Sequence, residues 1–255
     1  MSRIEHKHCK KIEPAIDRFQ EAHYWIHMLE EHYHRADLFR WHLNVFLKAI
    51  KEVKDILQMN LQNLPNLLKF CKTERARLKA NPLISALSKK RDFIVHQSRL
   101  VPNSKGIIGI CDSTRKIRLG FGVPIDPLED SDIAMMRYVE FLRQTGIEHD
   151  LILEPDEDTI PCIQREWRLP EFEDEIVSLC IVAWMELGQI ITNALELLED
   201  PHEGFSLDCR RHNKQTYTTK LYDREKLIDN VKRTGDEWLH QELIWIPSGR
   251  PTKSN

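Results

Sequence analysis

Glycine, proline and cysteine are scarce in this chain of 255 residues, which has nine, twelve and six of them, respectively. So few glycines and prolines exclude a collagen-like or low-complexity protein. The six cysteines are scattered, and no two of them form a C-x-x-C pair. We therefore expect reduced thiols in a cytoplasmic protein rather than a disulfide framework or a zinc cage.

The sequence also lacks long hydrophobic runs. No stretch of about 18 apolar residues occurs, and the first thirty residues are rich in charge and histidine. We expect neither a transmembrane span nor a secretory signal. With 41% hydrophobic residues, the chain can bury a core of its own, which excludes global disorder.

Charge is distributed unevenly along the chain. Residues 1–105 contain 20 lysines and arginines against 11 aspartates and glutamates, a net charge of +9. Residues 106–255 contain 17 lysines and arginines against 29 aspartates and glutamates, a net charge of −12. A basic first half is what a phosphate-binding face requires. The alternative is that the two halves neutralise each other across one fold, and the sequence leaves both open.

The first hundred residues have the apolar spacing of helices. Apolar side chains recur every three or four residues over 37–59, which predicts one buried stripe of a long helix. Residues 15–34 predict another helix. Asn81 directly before Pro82 is typical of an N-cap followed by the first helical position. A further helix is therefore expected from Pro82 to about Ser98.

The hydrophobic period changes after these helices. Apolar residues alternate with polar residues or glycine over 117–123, which predicts a strand. Its expected partner is 106–111, with the turn at 112–115, so a β-hairpin is inserted at about 106–126. Helical spacing returns over 171–199 and predicts a long helix that closes a bundle.

These patterns predict a mainly α fold. A helical bundle is expected over 1–204, with the hairpin insertion and an acidic loop at about 148–160. A mixed C-terminal extension is expected over 205–255. Within this extension we predict a short hairpin around Lys214–Lys220 and a helix near Arg224–Lys232.

The segment around Arg91 is the most informative for chemistry. Arg91 and His96 supply a permanent cation and a group that titrates near neutrality, and such a pair can bind a phosphodiester and move its protons. Five helical residues turn through about 500°, so the two side chains diverge by about 140°. Asp92 and His96 are four apart and share a helix face, which would let Asp92 orient the imidazole. The same spacing occurs at Arg3/His8 and Arg18/His23.

The context of Arg91 resembles the HEPN superfamily, the higher eukaryotes and prokaryotes nucleotide-binding domains. The signature of that superfamily is an arginine followed after four to six residues by a histidine, with a polar residue directly after the arginine. Here the polar residue is Asp92, where many members have asparagine. The run RDFIVHQ, the amphipathic helix from Phe39 to Leu57, the start Asn81-Pro82-Leu83 and the helix 171–199 carry the resemblance. It covers about 15–100 and 171–199.

This resemblance implies a metal-independent endoribonuclease, of the kind that is often a toxin or an effector of antiphage defence. It implies Arg91 and His96 as the catalytic pair, with Asp92 as their polar partner and no cofactor. It also implies RNA as substrate, a homodimer whose two motifs face one cleft, and an antitoxin or sensor protein as partner. The side chains expected to bind the RNA are Lys89, Lys90, Gln97 and Arg99.

Two other functions remain open at this point. One is a non-catalytic HEPN-like scaffold that binds a partner protein or a nucleotide. The other is a metal-dependent helical-bundle enzyme, suggested by the E-x-x-H matches Glu31/His34 and Glu237/His240. The signatures of dinucleotide enzymes, P-loop ATPases and serine hydrolases are absent from the sequence.

Overall fold

The computed structural model describes residues 11–62, 64–145, 159–199, 207 and 213–232. Its helices are α1 (Glu13–Glu31), α2 (Ala36–Leu61), α3 (Pro65–Ala80), α4 (Pro82–His96), α5 (Ser131–Thr145), α6 (Ile176–Leu197), α7 (Lys214–Thr218) and α8 (Arg224–Lys232). Its strands are β1 (Asn103–Cys111), β2 (Ile117–Pro124), β3 (Ile160–Arg168) and β4 (Thr219–Leu221).

The four strands form one antiparallel sheet in the order β2-β1-β3-β4. β1 and β2 are the predicted hairpin, but β1 also pairs with β3 along its whole length, from Asn103 opposite Arg168 to Cys111 opposite Ile160. The hairpin is half of a sheet rather than an insertion in a helical bundle. The prediction of a mainly α fold is wrong, and the chain has a mixed α/β fold.

β3 escaped the sequence analysis because its residues do not alternate between apolar and polar. Ile163, Arg165 and Trp167 share one buried face, but the charged Arg165 interrupts this row, and Cys162 on the other face is also buried. A strand is predicted from a regular alternation of apolar and polar residues, which this segment lacks. The acidic loop expected at about 148–160 falls almost entirely outside the described residues, and Ile160 already belongs to β3.

The chain divides into two compact units that interleave along the sequence. The helical unit takes its described residues from 1–30, 39–101 and 174–211. The sheet unit takes its described residues from 31–38, 102–173 and 212–255. This is a different division from the expected bundle over 1–204 with an extension over 205–255.

α6 provides much of the core of the helical unit, with twelve buried residues. The ring of its Trp184 stacks on that of Phe19 with a centroid distance of 4.7 Å, and Trp184 Nε1 donates a hydrogen bond of 3.2 Å to the Phe19 carbonyl oxygen. The carboxylate of Glu175 caps the helix by accepting from the backbone N–H groups of Val177 and Ser178.

α6 is also the one helix among the described residues whose length and composition would allow it to cross a membrane. The core helix of a soluble protein passes the same test, and 56% of the most apolar window of α6 is buried inside the protein. The structure is therefore compatible with a soluble protein.

A fully buried arginine, Arg165, lies in the sheet unit. Its guanidinium donates hydrogen bonds to the carbonyl oxygens of Glu129 at 2.7 Å and Asp126 at 3.1 Å, and to Ser104 Oγ at 2.9 Å. It also lies 3.7 Å from the ring centroid of Trp167. Burial lowers the pKa of Arg165 to about 10. These bonds fix the turn between β2 and α5 against β3.

The local predictions in the rest of the chain have mixed outcomes. The N-cap is confirmed, because Asn81 Oδ1 accepts a hydrogen bond of 3.2 Å from the Ile84 backbone N–H. The helix near Arg224–Lys232 is confirmed as α8. The hairpin around Lys214–Lys220 is wrong: α7 runs directly into β4, which pairs with β3 over three residues. Such a short strand has too few residues to show a period.

Candidate functional site

The Arg91 motif lies in the second half of α4, where the helix leaves the core of the helical unit. The buried side chains of α4 are Ile84 and Leu87, in its first half. From Asp92 onwards most side chains are exposed, including that of His96. The helix ends at His96, and the backbone N–H of Gln97 caps it by donating to the Phe93 carbonyl oxygen at 2.8 Å.

Two cations converge on the carboxylate of Asp92. The ammonium of Lys51, on α2, donates to Asp92 Oδ1 at 2.8 Å, and Arg91 Nη1 donates to the same oxygen at 3.0 Å. The Asp92 side chain is half exposed, whereas those of Lys51 and Arg91 are 27% and 21% exposed. The hydrogen bonds from Lys51 and then Arg91 lower the pKa of Asp92. The cluster of Lys51, Arg91 and Asp92 therefore carries a net charge of +1.

The carboxylate of Asp92 is hydrogen-bonded to these cations and not to His96. The imidazole of His96 makes no hydrogen bond or ion pair with any residue that the structure describes. The orientation of His96 by Asp92, which their shared helix face suggested, is thus not found. Asp92 instead holds Arg91, and the imidazole is open to solvent one turn further along α4.

The four residues expected to bind RNA flank this cluster along the chain. Lys89 is exposed and Lys90 is half-buried, and both precede Arg91 within α4. Gln97 and Arg99 are exposed and follow the end of the helix. All four belong to the helical unit, as do Arg91, Asp92 and His96.

Further cations lie near Lys51 on α2 and α3. The pKa of Lys54, one turn further along α2, is lowered mainly by burial and also by the charges of Lys51 and Arg75, against the opposing charges of Asp55 and Asp92. The cavities beside these cations have volumes of only about 30 Å³ and 10 Å³, enough for about one water molecule. The basic cluster is therefore an open surface and not a pocket for a small molecule.

The suggested metal ligands do not form a site in the described part of the chain. No group of three or more histidine, cysteine, aspartate or glutamate side chains there has the geometry to hold a metal ion. Of the two E-x-x-H matches, Glu31 is exposed, while His34 is half-buried in the sheet unit, with its Nε2 buried and its Nδ1 2.9 Å from Ser131 Oγ. Glu237 and His240 lie outside the described residues.

Lys51 is the site residue that sequence reasoning missed. It lies 41 positions before Asp92, and α2 contains two other lysines within one turn of it, Lys48 and Lys54. The regular spacing of α2 predicted its buried stripe, but no local pattern indicates which polar residue on the opposite face meets α4.

Comparison with models of protein families gives a match over most of the chain. The sequence model of the family described as bacteriophage lambda protein ea47 matches residues 5–196. The chain belongs to this phage lambda Ea47 family. No curated protein and no solved structure matches the chain. The family match spans the described residues of α1 to α6, and so includes the Arg91 motif and most of the sheet.

Proposed function

We propose that this member of the Ea47 family is a metal-independent endoribonuclease of HEPN type, with its site at the exposed end of α4. The observation that carries the proposal is the cluster in which Lys51 and Arg91 converge on Asp92, next to the solvent-exposed His96. Cations on an open surface suit the phosphates of a polymer, and an imidazole without a partner is available for proton transfer.

In the proposed reaction, His96 accepts the proton of a ribose 2′-OH as its oxygen attacks the adjacent phosphorus. Arg91 stabilises the additional negative charge on the phosphoryl oxygens. The bond from phosphorus to the 5′-oxygen breaks, and this oxygen takes a proton from water. The products carry a 2′,3′-cyclic phosphate and a 5′-OH. Asp92 positions Arg91 and Lys51 rather than touching the RNA.

Binding of the RNA backbone is assigned to Lys89, Lys90, Gln97 and Arg99. Three of these are cations, and they extend the basic cluster along the chain on both sides of Arg91. Each phosphate contact releases condensed counterions, so RNA affinity should fall steeply with salt. The proposed setting is the cytoplasm, where the protein acts as a toxin or defence effector under the control of an antitoxin or sensor.

A homodimer completes the proposed site. Arg91 and His96 diverge by about 140° on one helix, so a single subunit presents the two groups poorly to one phosphate. A two-fold axis near α4 would place the Arg91 of one subunit beside the His96 of the other. This arrangement gives each phosphate a cation and an imidazole.

The test is cleavage of a DNA oligonucleotide that contains one internal ribonucleotide, labelled with a fluorophore and incubated with EDTA. Cutting must occur on the 3′ side of the ribonucleotide, because only that position has a 2′-OH. Arg91→Ala should abolish it. Arg118→Ala is the matched control, because Arg118 also pairs with a carboxylate, Asp112, at 3.0 Å on the surface of the sheet unit. Cutting that needs a divalent cation, or that survives Arg91→Ala, contradicts the proposal.

The second candidate is a non-catalytic scaffold that binds a partner protein. It is favoured by Phe93 and Val95, which lie beside the motif with 37% and 45% of their surfaces exposed. Exposed apolar side chains mark an interface when they belong to a contiguous patch, and these two would contribute to one beside the motif. RNA binding without cleavage, together with loss of partner binding in Phe93→Ser, would favour the scaffold over the ribonuclease.

A further inference from the structure

The sheet unit contains a cleft of about 670 Å³ that the ribonuclease proposal does not use. Its floor is a row of three residues across three strands: Gly122 and Gln164 both lie opposite Ile107 in the ladder. Directly opposed residues project to the same face of a sheet. The volume is typical of sites that bind a small organic molecule, which range over about 300–1,000 Å³.

Gly122 leaves this floor open. A Cβ placed on Gly122 would meet no atom within 4 Å. The other glycines of the hairpin differ, because a Cβ on Gly120 would lie 2.5 Å from Ile107 Cγ2 and one on Gly106 would lie 2.4 Å from Ile125 Cδ1. Packing within the protein therefore explains Gly106 and Gly120 but not Gly122. A glycine in a strand often marks the close approach of a ligand.

The walls of the cleft supply a small number of polar groups. The side-chain amide of Gln164 is poorly satisfied, with one long hydrogen bond of 3.5 Å from Nε2 to Thr219 Oγ1. The ammonium of Lys214 makes no hydrogen bond or ion pair with any residue in the described part of the chain. Lys105 is paired with Glu166 at 3.3 Å. One unpaired cation and one amide that both donates and accepts thus face the same space.

We propose that this cleft binds a nucleoside 5′-monophosphate. A planar base fits over Gly122 and against Ile107, where the floor is apolar. The amide of Gln164 pairs with a donor and an acceptor on the edge of the base, as glutamine does with adenine. The phosphate binds the ammonium of Lys214. Because Glu166 neutralises Lys105 and repels further anions, a triphosphate gains nothing over a monophosphate.

The proposal concerns residues of the sheet unit alone, and it does not depend on whether the protein is a ribonuclease. The Arg91→Ala variant should bind mononucleotides as the wild type does. A loss of binding in that variant would place the nucleotide at α4 and overturn the assignment to the cleft.

Calorimetric titration of the full chain tests the ligand class. The probes are AMP, GMP, CMP, UMP and ATP, with adenosine and inorganic phosphate in separate arms. At least one monophosphate should bind saturably with a Kd below about 1 mM, and its nucleoside and phosphate alone at least about tenfold more weakly. Inorganic phosphate that binds as tightly as the nucleotide would overturn the role of the base. Absence of binding by all four monophosphates would overturn the proposal.

Two variants test the location. Gly122→Val fills open space and should keep the fold, verified by an unchanged thermal unfolding midpoint, while it weakens nucleotide binding at least about tenfold. Lys214→Gln should weaken binding of the nucleotide but not that of the nucleoside. Its matched control is Lys116→Gln, at an exposed lysine in the turn between β1 and β2. Wild-type affinity in Gly122→Val, or equal losses in Lys214→Gln and Lys116→Gln, would exclude the cleft.

Discussion

Lys51 on α2 and Asp92 on α4 are joined by a hydrogen bond of 2.8 Å, although 41 positions separate them in the chain. This bond and the one from Arg91 Nη1 use the same carboxylate oxygen, so Asp92 holds two cations on one surface. Exposed ion pairs contribute only about 0–1 kcal/mol to stability. The arrangement therefore matters more for the electrostatics of the surface than for the fold.

Asp92→Asn should strengthen RNA binding. The substitution raises the net charge of the cluster from +1 to +2 and leaves the free energy of unfolding within about 1 kcal/mol of wild type. Fluorescence anisotropy with single-stranded RNA over a series of salt concentrations should show higher affinity at low salt. The slope of log K against log salt should steepen by about 0.7.

Asp229→Asn makes the same charge change at an exposed position of α8 and serves as the control for Asp92→Asn. Its RNA affinity should match that of the wild type. Equal effects of the two substitutions would mean that only the overall charge of the protein matters and that the cluster is not an RNA site.

Arg91 and His96 should act as a unit in cleavage. Each alanine variant should lower the cleavage rate by about 100-fold or more. The double variant should be little slower than either single one, because the second substitution removes a group that can no longer contribute. Single-turnover rates measure both effects. Losses that multiply in the double variant would show that the residues act independently, and wild-type cleavage by either single variant would remove the site.

A homodimer should form with the two α4 helices facing each other. Arg91→Cys combined with His96→Cys should then give a disulfide-linked dimer on mild oxidation, detected on a non-reducing gel, because the two-fold contact places residue 91 of one subunit beside residue 96 of the other. Cys71, Cys111, Cys162 and Cys180 are buried, and Cys9 and Cys209, which lie outside the described residues, are replaced by serine in every variant. Asp229→Cys is the control. Sedimentation at a monomer's mass, or crosslinking only through residue 229, would contradict this assembly.

The elements that were predicted correctly have strong local signals. The cap at Asn81 and the apolar stripe of α2 are confirmed, and so is the hairpin turn, where Arg115 has a φ of 66°. Helix caps, helical periods and turns depend on residues that are close in sequence. These elements can therefore be predicted without knowledge of the rest of the fold.

The features that were missed depend on contacts between distant segments. β3 is held between β1 and β4, which precede and follow it by dozens of residues, and its buried Arg165 is a charge that no strand pattern contains. β4 has three residues and exists because β3 offers it a partner. At the candidate site, the position of the motif in α4 could be predicted from the sequence. The pairing of Asp92 with Lys51 could not be predicted, because it joins two distant segments.

Arg165 should be essential to the stability of the sheet unit. Arg165→Met removes a guanidinium that satisfies the buried carbonyl oxygens of Asp126 and Glu129. Unfolding in urea should show a loss of about 2–4 kcal/mol, because those acceptors lose their donors in a dry environment. Arg165→Lys should also destabilise, since one ammonium cannot reach all the acceptors. The exposed Arg118→Met should change stability by about 0.5 kcal/mol or less. Equal effects at the two positions would contradict a structural role for Arg165.

Acid should destabilise the protein through His34. Burial, followed by the charges of Lys220 and Arg165, lowers the pKa of this imidazole well below its usual value. His34 is therefore neutral in the folded protein but takes up a proton in the unfolded chain as the pH falls below about 6.5. The unfolded state then binds more protons, so stability falls by up to about 1.4 kcal/mol per pH unit.

Urea unfolding of the wild type and His34→Gln, measured between about pH 7 and pH 5, tests this effect. His34→Gln should flatten the dependence of stability on pH, whatever its stability at neutral pH. Ser131→Ala is the matched control, because it removes the hydroxyl that lies 2.9 Å from His34 Nδ1 but keeps the titrating ring. Its slope should remain close to that of the wild type. If His34→Gln and the wild type lost stability in parallel, the acid sensitivity would belong to other groups and His34 would not be the buried neutral imidazole described above.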